Sequence, residues 1–339
     1  MALTLEQIAK LAGVSRSTVS RVVNDEPNVR DEVRRRVWQV IRETGYQPHA
    51  AARSLVTRRT QIIGVIIPES VTTLFTDPFF SLLLAGITAA CNENRYHLML
   101  SLFNSPEGSD AIYQRVLRSA YLDGVIVASA TSDDPLIPRL LHDSIPFVLV
   151  GRHLDARVTY VDVDNLGGAR MATEHLIRLG HKRIATVTGP LGMLSAQDRL
   201  AGYKRALEAH GLPVDPSLIV EGDYREGGGM AAAHRLLGVS PTAIFVASDV
   251  MAVGVLKALR QEGVEVPGDI ALTSFDDLPV ATAVQPALTT VRQPIDDLGR
   301  TAVQLLLDLI NRPPDSTSVP QRLVLPTELV VRGSCGARQ

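Results

Sequence analysis

The sequence predicts a small all-α domain followed by a larger α/β body built on doubly wound parallel sheets. Three observations carry this. Residues 1–46 hold three helix-period segments punctuated by Gly13 and Gly45. Residues 60–335 alternate short β-branched apolar runs with helical stretches. Charge divides at the same place: residues 1–60 carry 11 Lys+Arg and 6 Asp+Glu, whereas the remainder has a net charge of -7. A basic head on an acidic body directs the head at a polyanion.

Length and composition set the outer bounds. The chain has 339 residues, 45% of them hydrophobic, enough for two or three cores. No apolar run approaches the roughly 18 residues of a membrane span. The start, Met1 to Glu6, has neither a basic nor an apolar leader region, so a cytoplasmic protein is expected. Cys91 and Cys335 are too few and too far apart for a thiolate metal site, and a disulfide is not expected in a reducing compartment. No Gly-x-Gly-x-x-Gly follows a strand, and there is no Walker loop or Gly-x-Ser-x-Gly elbow; Gly227-Gly228-Gly229 lacks the spacing. The 8 histidines are scattered without metal-ligand spacing. We therefore expect no enzyme, no cofactor and no metal. The competing readings are a transport-type solute-binding protein or an enzyme on the same α/β fold; neither would bind palindromic DNA.

The head begins with Thr4-Leu5-Glu6-Gln7, a capping box that opens a short helix with Leu5, Ile8, Ala9 and Leu11 as its apolar positions. Ala12-Gly13-Val14 ends it. Ser15 caps a second helix through Val23, with Val19, Val22 and Val23 on one face and Ser17, Ser20, Arg21 and Asn24 opposite. So short a helix is unstable alone and must pack on neighbours. The brace is a third helix over Asp31 to Thr44, with Val33, Val37, Trp38, Val40 and Ile41 inward and Gly45 as the stop. Two short helices, a tight turn and a brace, with hydrogen-bonding side chains and an Arg on the free face, make the geometry of a recognition helix in a major groove.

The segments Leu3 to Ala9, Ala12 to Asn24, Gly45-Tyr46-Gln47-Pro48 and Ala52-Arg53-Ser54-Leu55 closely resemble the lactose-repressor (LacI/GalR) family of bacterial transcription regulators, and the resemblance runs through essentially the whole chain. It implies that Arg16, Ser17 and Arg21 read bases, an Arg being able to grip guanine O6 and N7 together. Thr4, Ser15, Thr18, Ser20 and Asn24 complete the implied DNA contacts of the head. Arg30 and Val33 depart from the Ser and Thr usual at those positions, which leaves the third helix without a good N-cap.

Residues 47–59 read as a hinge. Pro48 suits a helix start, but the segment His49 to Leu55 buries too little to be helical alone. The resemblance implies a hinge that folds on DNA beside its twin, with Ala52 in contact and Leu55 pushed into the minor groove. His49 stands where the family often has Asn or Ser.

In the body, strands are expected at Ile62–Ile67, Leu98–Leu102, Gly124–Val127, Phe147–Val150, Ile184–Val187, Ala243–Val246 and Ile270–Thr273, and helices at Ala169–Leu179, Leu200–His210, Gly229–Leu237 and Met251–Glu262. This span is too long for one simple sheet, so two lobes are expected. The resemblance sharpens them to a periplasmic-binding-protein-like pair crossed three times, near Asp162-Val163, Thr290-Val291 and Arg322-Leu323. The N-lobe is then about 60–162 and 291–322, and the C-lobe about 163–290 and 323–335.

Ligands in such folds lie beyond the carboxyl ends of strands. The resemblance places Phe79, Phe80, Arg152, Ser195, Arg199, Tyr224, Ser248 and Asp276 at that cleft. Arg199 and Asp276 suit neighbouring hydroxyls, one donating a fork and the other only accepting. Phe79, Phe80 and Tyr224 suit walls, and Asp249 is expected to cap a helix. Met193 falls where purine-binding members carry a second Arg, which favours a sugar or sugar derivative over a nucleobase. The expected whole is a repressor whose affinity for a pseudo-palindromic operator is changed by that effector. One head buries too little surface for tight specific binding, so a homodimer is expected. Residues 332–339 carry no leucine heptad that would extend it.

Overall fold

A computed structural model describes residues 3–23, 27–46, 59–68, 71–103, 110–111, 113–117, 121–128, 131–313 and 319–337. The chain divides into two units, Met1–Gln61 and Ile62–Gln339. Among the described residues no helix is long and apolar enough to cross a membrane.

The first unit holds α1 (Leu5–Ala12), α2 (Arg16–Val23) and α3 (Asp31–Thr44). The capping box of α1 is present: the Gln7 amide N–H donates to the Thr4 hydroxyl at 3.3 Å, and the Thr4 amide N–H to the Gln7 side chain at 2.8 Å. Gly13 and Gly45 end α1 and α3 at φ 62° and 63°, the left-handed region in which a side chain would be strained. The Thr18 amide N–H donates to the Ser15 hydroxyl at 3.1 Å, which caps α2. Arg30 supplies no side-chain cap to α3. Ile8, Val19, Val22 and Val37 are fully buried where the three helices meet. Leu11, expected inward, is instead 59% exposed, and Ala12 is buried. The capped register puts residues 8, 9 and 12 on one face and turns Leu11 about 100° away.

The second unit contains β1 (Ile62–Ile67), α4 (Val71–Thr76), α5 (Pro78–Glu93), β2 (His97–Leu102), a π-helical turn (Tyr113–Leu117), β3 (Gly124–Ala128), α6 (Leu136–His142), β4 (Phe147–Val150) and β5 (Tyr160–Val163). It continues with α7 (Asn165–Arg178), β6 (Ile184–Thr188), α8 (Leu194–Ala209), β7 (Ile219–Glu221), α9 (Glu226–Leu237), β8 (Ala243–Val246), α10 (Asp249–Gln261) and β9 (Ala271–Asp276). The last elements are α11 (Val280–Ala283), β10 (Thr289–Arg292), α12 (Ile295–Ile310), β11 (Arg322–Leu325) and β12 (Glu328–Val330).

The strands form two six-stranded sheets, ordered β11-β5-β4-β3-β1-β2 and β12-β10-β9-β8-β6-β7. Pairing is parallel except between β10 and β12. Alternate residues face two different cores, which explains why the strands read as unbroken apolar runs. In β1, Ile63, Val65 and Ile67 join one cluster while Ile66 joins the other.

The sheets define the two lobes and where the chain passes between them. The first passage, at Asp164, lies beside the expected Asp162-Val163. The other two expected crossings need correction. Thr290-Val291 lies inside β10 and Arg322-Leu323 inside β11, so the passages fall a few residues later, at 293–294 and 326–327. A polar or proline-containing link can leave a sheet only where its ladder ends; Gln293-Pro294 and Pro326-Thr327 are those points.

Candidate functional site

A cavity of about 450 Å³ lies between the carboxyl ends of the two sets of strands. Its N-lobe wall carries Phe79 and Phe80 from the first turn of α5, their rings edge to face at 5.4 Å. Asp77 caps that helix by accepting from the Phe79 amide N–H at 3.0 Å, which sets both rings at the cavity.

The polar floor is centred on Arg199, 6% exposed on α8, and Asp276, 6% exposed at the end of β9. Arg199 donates from Nη1 to Asp276 Oδ1 at 3.2 Å and to the Ala247 carbonyl, and from Nε to Asn165 Oδ1 at 2.8 Å. Its plane lies 3.7 Å from the centre of the Phe275 ring, so the guanidinium is held on one face by an aromatic. Gln293 donates to the same Asp276 Oδ1 at 2.6 Å. Arg199 Nη2 and Asp276 Oδ2 have no hydrogen-bond partner among the described residues, and both residues line the cavity. The open Nη2 donor and the open Oδ2 acceptor are thus presented side by side. Burial pushes the Asp276 carboxyl well above its usual range, and Arg199 opposes that shift.

Tyr224 closes another side. Its backbone adopts φ 63° and Asp276 adopts φ 114°, two conformations that disfavour side chains, both at the cavity. The ring passes so close to Gly189 that a Cβ there would meet its Cζ at 2.1 Å. Among the described residues the buried Tyr224 hydroxyl has no partner in good hydrogen-bond geometry, although the Ser195 hydroxyl comes close enough to lower its pKa. Burial raises its phenol pKa, with Arg199 and Ser195 acting the other way.

The remaining expected residues divide. Ser195 lines the cavity beside Arg199. Ser248 also lines it, but its hydroxyl accepts from the Met251 amide N–H at 3.2 Å and caps α10. Asp249, expected as that cap, is the first residue of α10. Its carboxylate takes the Ser274 and Thr290 hydroxyls and the Leu278 amide N–H in the C-lobe interior. The cap falls one residue earlier because only the residue before the first helical one can accept from the helix's free N–H groups. Arg152 lies at the cleft edge and turns its guanidinium to Asp198 across the lobes, with Nη2 to Oδ1 at 2.7 Å.

Asn165, Asp162 and Gln293 were not among the expected site residues. Asp162 Oδ1 accepts from Asn165 Nδ2 at 2.9 Å and from the Val163 amide N–H at 2.8 Å; Oδ2 accepts from the Arg152 amide N–H at 3.1 Å. Burial pushes its pKa up to about 6, opposed by those backbone donors. The available signal was positional: polar residues at or just beyond the carboxyl ends of strands, at Asp162 to Asn165 and at Gln293.

In the head, Ser15, Arg16, Ser17 and Arg21 are exposed on the first turns and free face of α2, as is Thr4 at the cap of α1. The Ser15 hydroxyl lies 2.8 Å from those of both Ser17 and Thr18, so these three form one network. Ser20 is half-buried. Arg16 pairs with Glu6 at 3.2 Å on the surface. Asn24, Ala52, Leu55 and most of the expected hinge lie outside the described residues.

Residues 4–49 match the family model of bacterial regulatory proteins of the lacI family, and residues 173–335 match a periplasmic binding protein-like domain. The HTH-type transcriptional regulator CelR of Thermobifida fusca is 41% identical over 336 residues, covering 98% of each chain. A solved CelR–cellobiose complex covers 98% of this chain and 99% of its own with a TM-score of 0.78 and 38% identity. The lac repressor dimer bound to operator and an anti-inducer covers 98% and 99% with a TM-score of 0.85 and 29% identity. On a match of that identity and extent, joined to a helix-turn-helix head and a two-lobed body, this chain belongs to the lacI family of bacterial DNA-binding transcription regulators.

Proposed function

We propose that this chain is a repressor whose hold on a pseudo-palindromic operator is set by a sugar or sugar derivative bound between the lobes. The observation that carries the effector class is the pairing of an unengaged Arg199 Nη2 with an unengaged Asp276 Oδ2 at the floor of the cavity. A hydroxyl donates and accepts at once, so two neighbouring hydroxyls satisfy both groups without introducing charge. Phe79, Phe80 and Tyr224 supply apolar walls for the C–H faces of such a ring, and Ser195 a further polar contact. The CelR complex with cellobiose supports the same class.

Two copies act together, each offering a head (1–46), a hinge (47–59) and an effector body (60–335). Arg16, Ser17 and Arg21 meet base edges, supported by the other polar residues of the head, and Ala52 and Leu55 meet the minor groove. The operator-bound lac repressor dimer supports this arrangement. The chain acts in the cytoplasm and catalyses no reaction.

The test is a thermal-shift screen of the full-length chain against monosaccharides, disaccharides and nucleobases, followed by operator mobility shifts with any ligand found. A ligand at a hundred times its Kd stabilises by ~2.7 kcal/mol, well within reach of the method. Stabilisation by a nucleobase and by no sugar removes the sugar reading. A sugar that binds without changing operator affinity removes the regulatory one.

A further inference from the structure

The charge of the cavity restricts the effector further than its hydroxyl-binding floor does. Among the described residues five carboxylates line it, Asp77, Asp162, Asp223, Glu226 and Asp276, against two cations, Arg199 and Arg225. Arg199 is matched to Asp276, and Glu226 is bound by Lys257 at 2.6 Å. Asp162 is held by amide donors, and among the described residues its carboxylate makes no ion pair. Among the described residues the formal charge lining the cavity is negative.

Helix N-termini would ordinarily attract an anion to such a place through their free N–H groups and dipole. Here the chain's own oxygens cap or overlie several of them. Asp77 occupies the start of α5. Asp223 accepts from the Arg225 amide N–H at 2.9 Å and lies over the first turn of α9, where a Cβ on Gly228 would meet its Oδ1 at 1.9 Å. Ser248 caps α10. α8, α9 and α12 start without a side-chain cap; the opening turn of α8 leads to Ser195 and to Arg199, whose Nη1 already serves Asp276 and the Ala247 carbonyl.

We propose that this site selects an uncharged sugar and rejects the phosphate ester of the same sugar, so that the regulator responds to a free sugar and not to its phosphorylated product. This rests on the sugar reading above. A phosphate would have to sit among carboxylates in a partly desolvated cleft where the Arg199 charge is already shared with Asp276. Like charges at such distances repel strongly when water is excluded. The reaction class that would extinguish the signal is therefore phosphoryl transfer to the sugar.

Matched pairs test it on the full-length chain by calorimetry: glucose with glucose 6-phosphate, ribose with ribose 5-phosphate, fructose with fructose 1-phosphate, and cellobiose alone. The expected result is that a free sugar binds and its ester, where paired, is weaker by on the order of tenfold or more at low salt. That ratio should shrink as salt rises, because screening weakens charge exclusion and leaves steric exclusion untouched. Asp223→Asn combined with Glu226→Gln should also shrink it. An ester that binds as tightly as its free sugar, or more tightly, overturns the inference while leaving the sugar reading intact. A ratio insensitive to both salt and the double variant overturns it too, since exclusion would then be one of shape. If neither free sugars nor esters bind, the sugar reading itself falls and takes this inference with it.

Discussion

Arg152 and Asp198 join the two lobes: the guanidinium, in the loop after β4, meets the carboxylate on α8 through two hydrogen bonds, Nη2 to Oδ1 at 2.7 Å and a shorter one from Nε to Oδ2. From there a continuous polar run leads to the cavity floor. The Arg152 amide N–H reaches Asp162, Asn165 bridges Asp162 to Arg199, and Arg199 meets Asp276. Asn165 lies at the first passage between lobes and Gln293 at the second. The groups that would hold an effector are thus bonded to the groups that fix the lobes against each other.

Removing the inter-lobe pair should weaken effector binding without touching the effector. Charge-assisted hydrogen bonds of this kind contribute about 1.5–3 kcal/mol each, and loss of the closed arrangement lowers apparent affinity in proportion to its population. Arg152→Ala is expected to weaken the effector on the order of tenfold, with Asp198→Ala similar and the double variant little worse than either single one. Calorimetry on the three variants checks this. Losses that simply add would mean the pair does not act as one.

Tyr224 offers two effects of opposite sign. Its hydroxyl is buried and, among the described residues, lacks a well-formed hydrogen bond, with only the Ser195 hydroxyl nearby; an unsatisfied buried hydroxyl costs about 1–3 kcal/mol. Tyr224→Phe should therefore raise the urea midpoint of the effector-free chain. The same change removes a donor at the cavity and should reduce effector affinity severalfold. Destabilisation of the free protein by Tyr224→Phe would show that the hydroxyl is satisfied in solution.

Asp162 makes stability depend on pH in a defined window. Its carboxyl is raised from 3.8 to about 6 in the folded chain, chiefly by burial. Below pH 4 both folded and unfolded chains hold the proton, and between about pH 4 and 6 only the folded chain does. Its favourable contribution is full below pH 4 and is lost as pH rises through 6, by on the order of 1–3 kcal/mol. Urea unfolding of the wild type and Asp162→Asn should diverge by that amount between pH 4 and 7, the wild type losing ground as pH rises. A constant difference would place the Asp162 pKa near its ordinary value.

In the head, Arg21 lies exposed on the polar face of α2. Arg21→Ala is expected to cost about 1–3 kcal/mol on operator and much less on random DNA at the same salt. Titration against both sequences separates the two outcomes; an equal loss on each would make Arg21 a phosphate contact.

Much of the molecule was legible from local pattern. The capping box at Thr4, the stops at Gly13 and Gly45 and the apolar strands such as Ile62–Ile67 and Phe147–Val150 form where expected, because each depends on neighbours within a few residues. The lobe passages were displaced because a strand's end is set by its partner's ladder. Arg322 to Leu325, exposed or half-buried at a sheet edge, carries little periodic signal of its own.

Local pattern sufficed for the helix-turn-helix head and the alternating α/β body, and the family resemblance for expecting Arg199 and Asp276 at the cleft. Packing across the two sheets settled which of their atoms are engaged, that Arg152 reaches Asp198, that Asn165 joins the first passage to the cavity floor, and that the Tyr224 hydroxyl is buried at the cavity. Arg199 and Asp276 are 77 positions apart and Arg152 and Asp198 are 46 apart. Pairings at such separations are fixed by how two sheets and their helices pack, and one sequence carries no local trace of them.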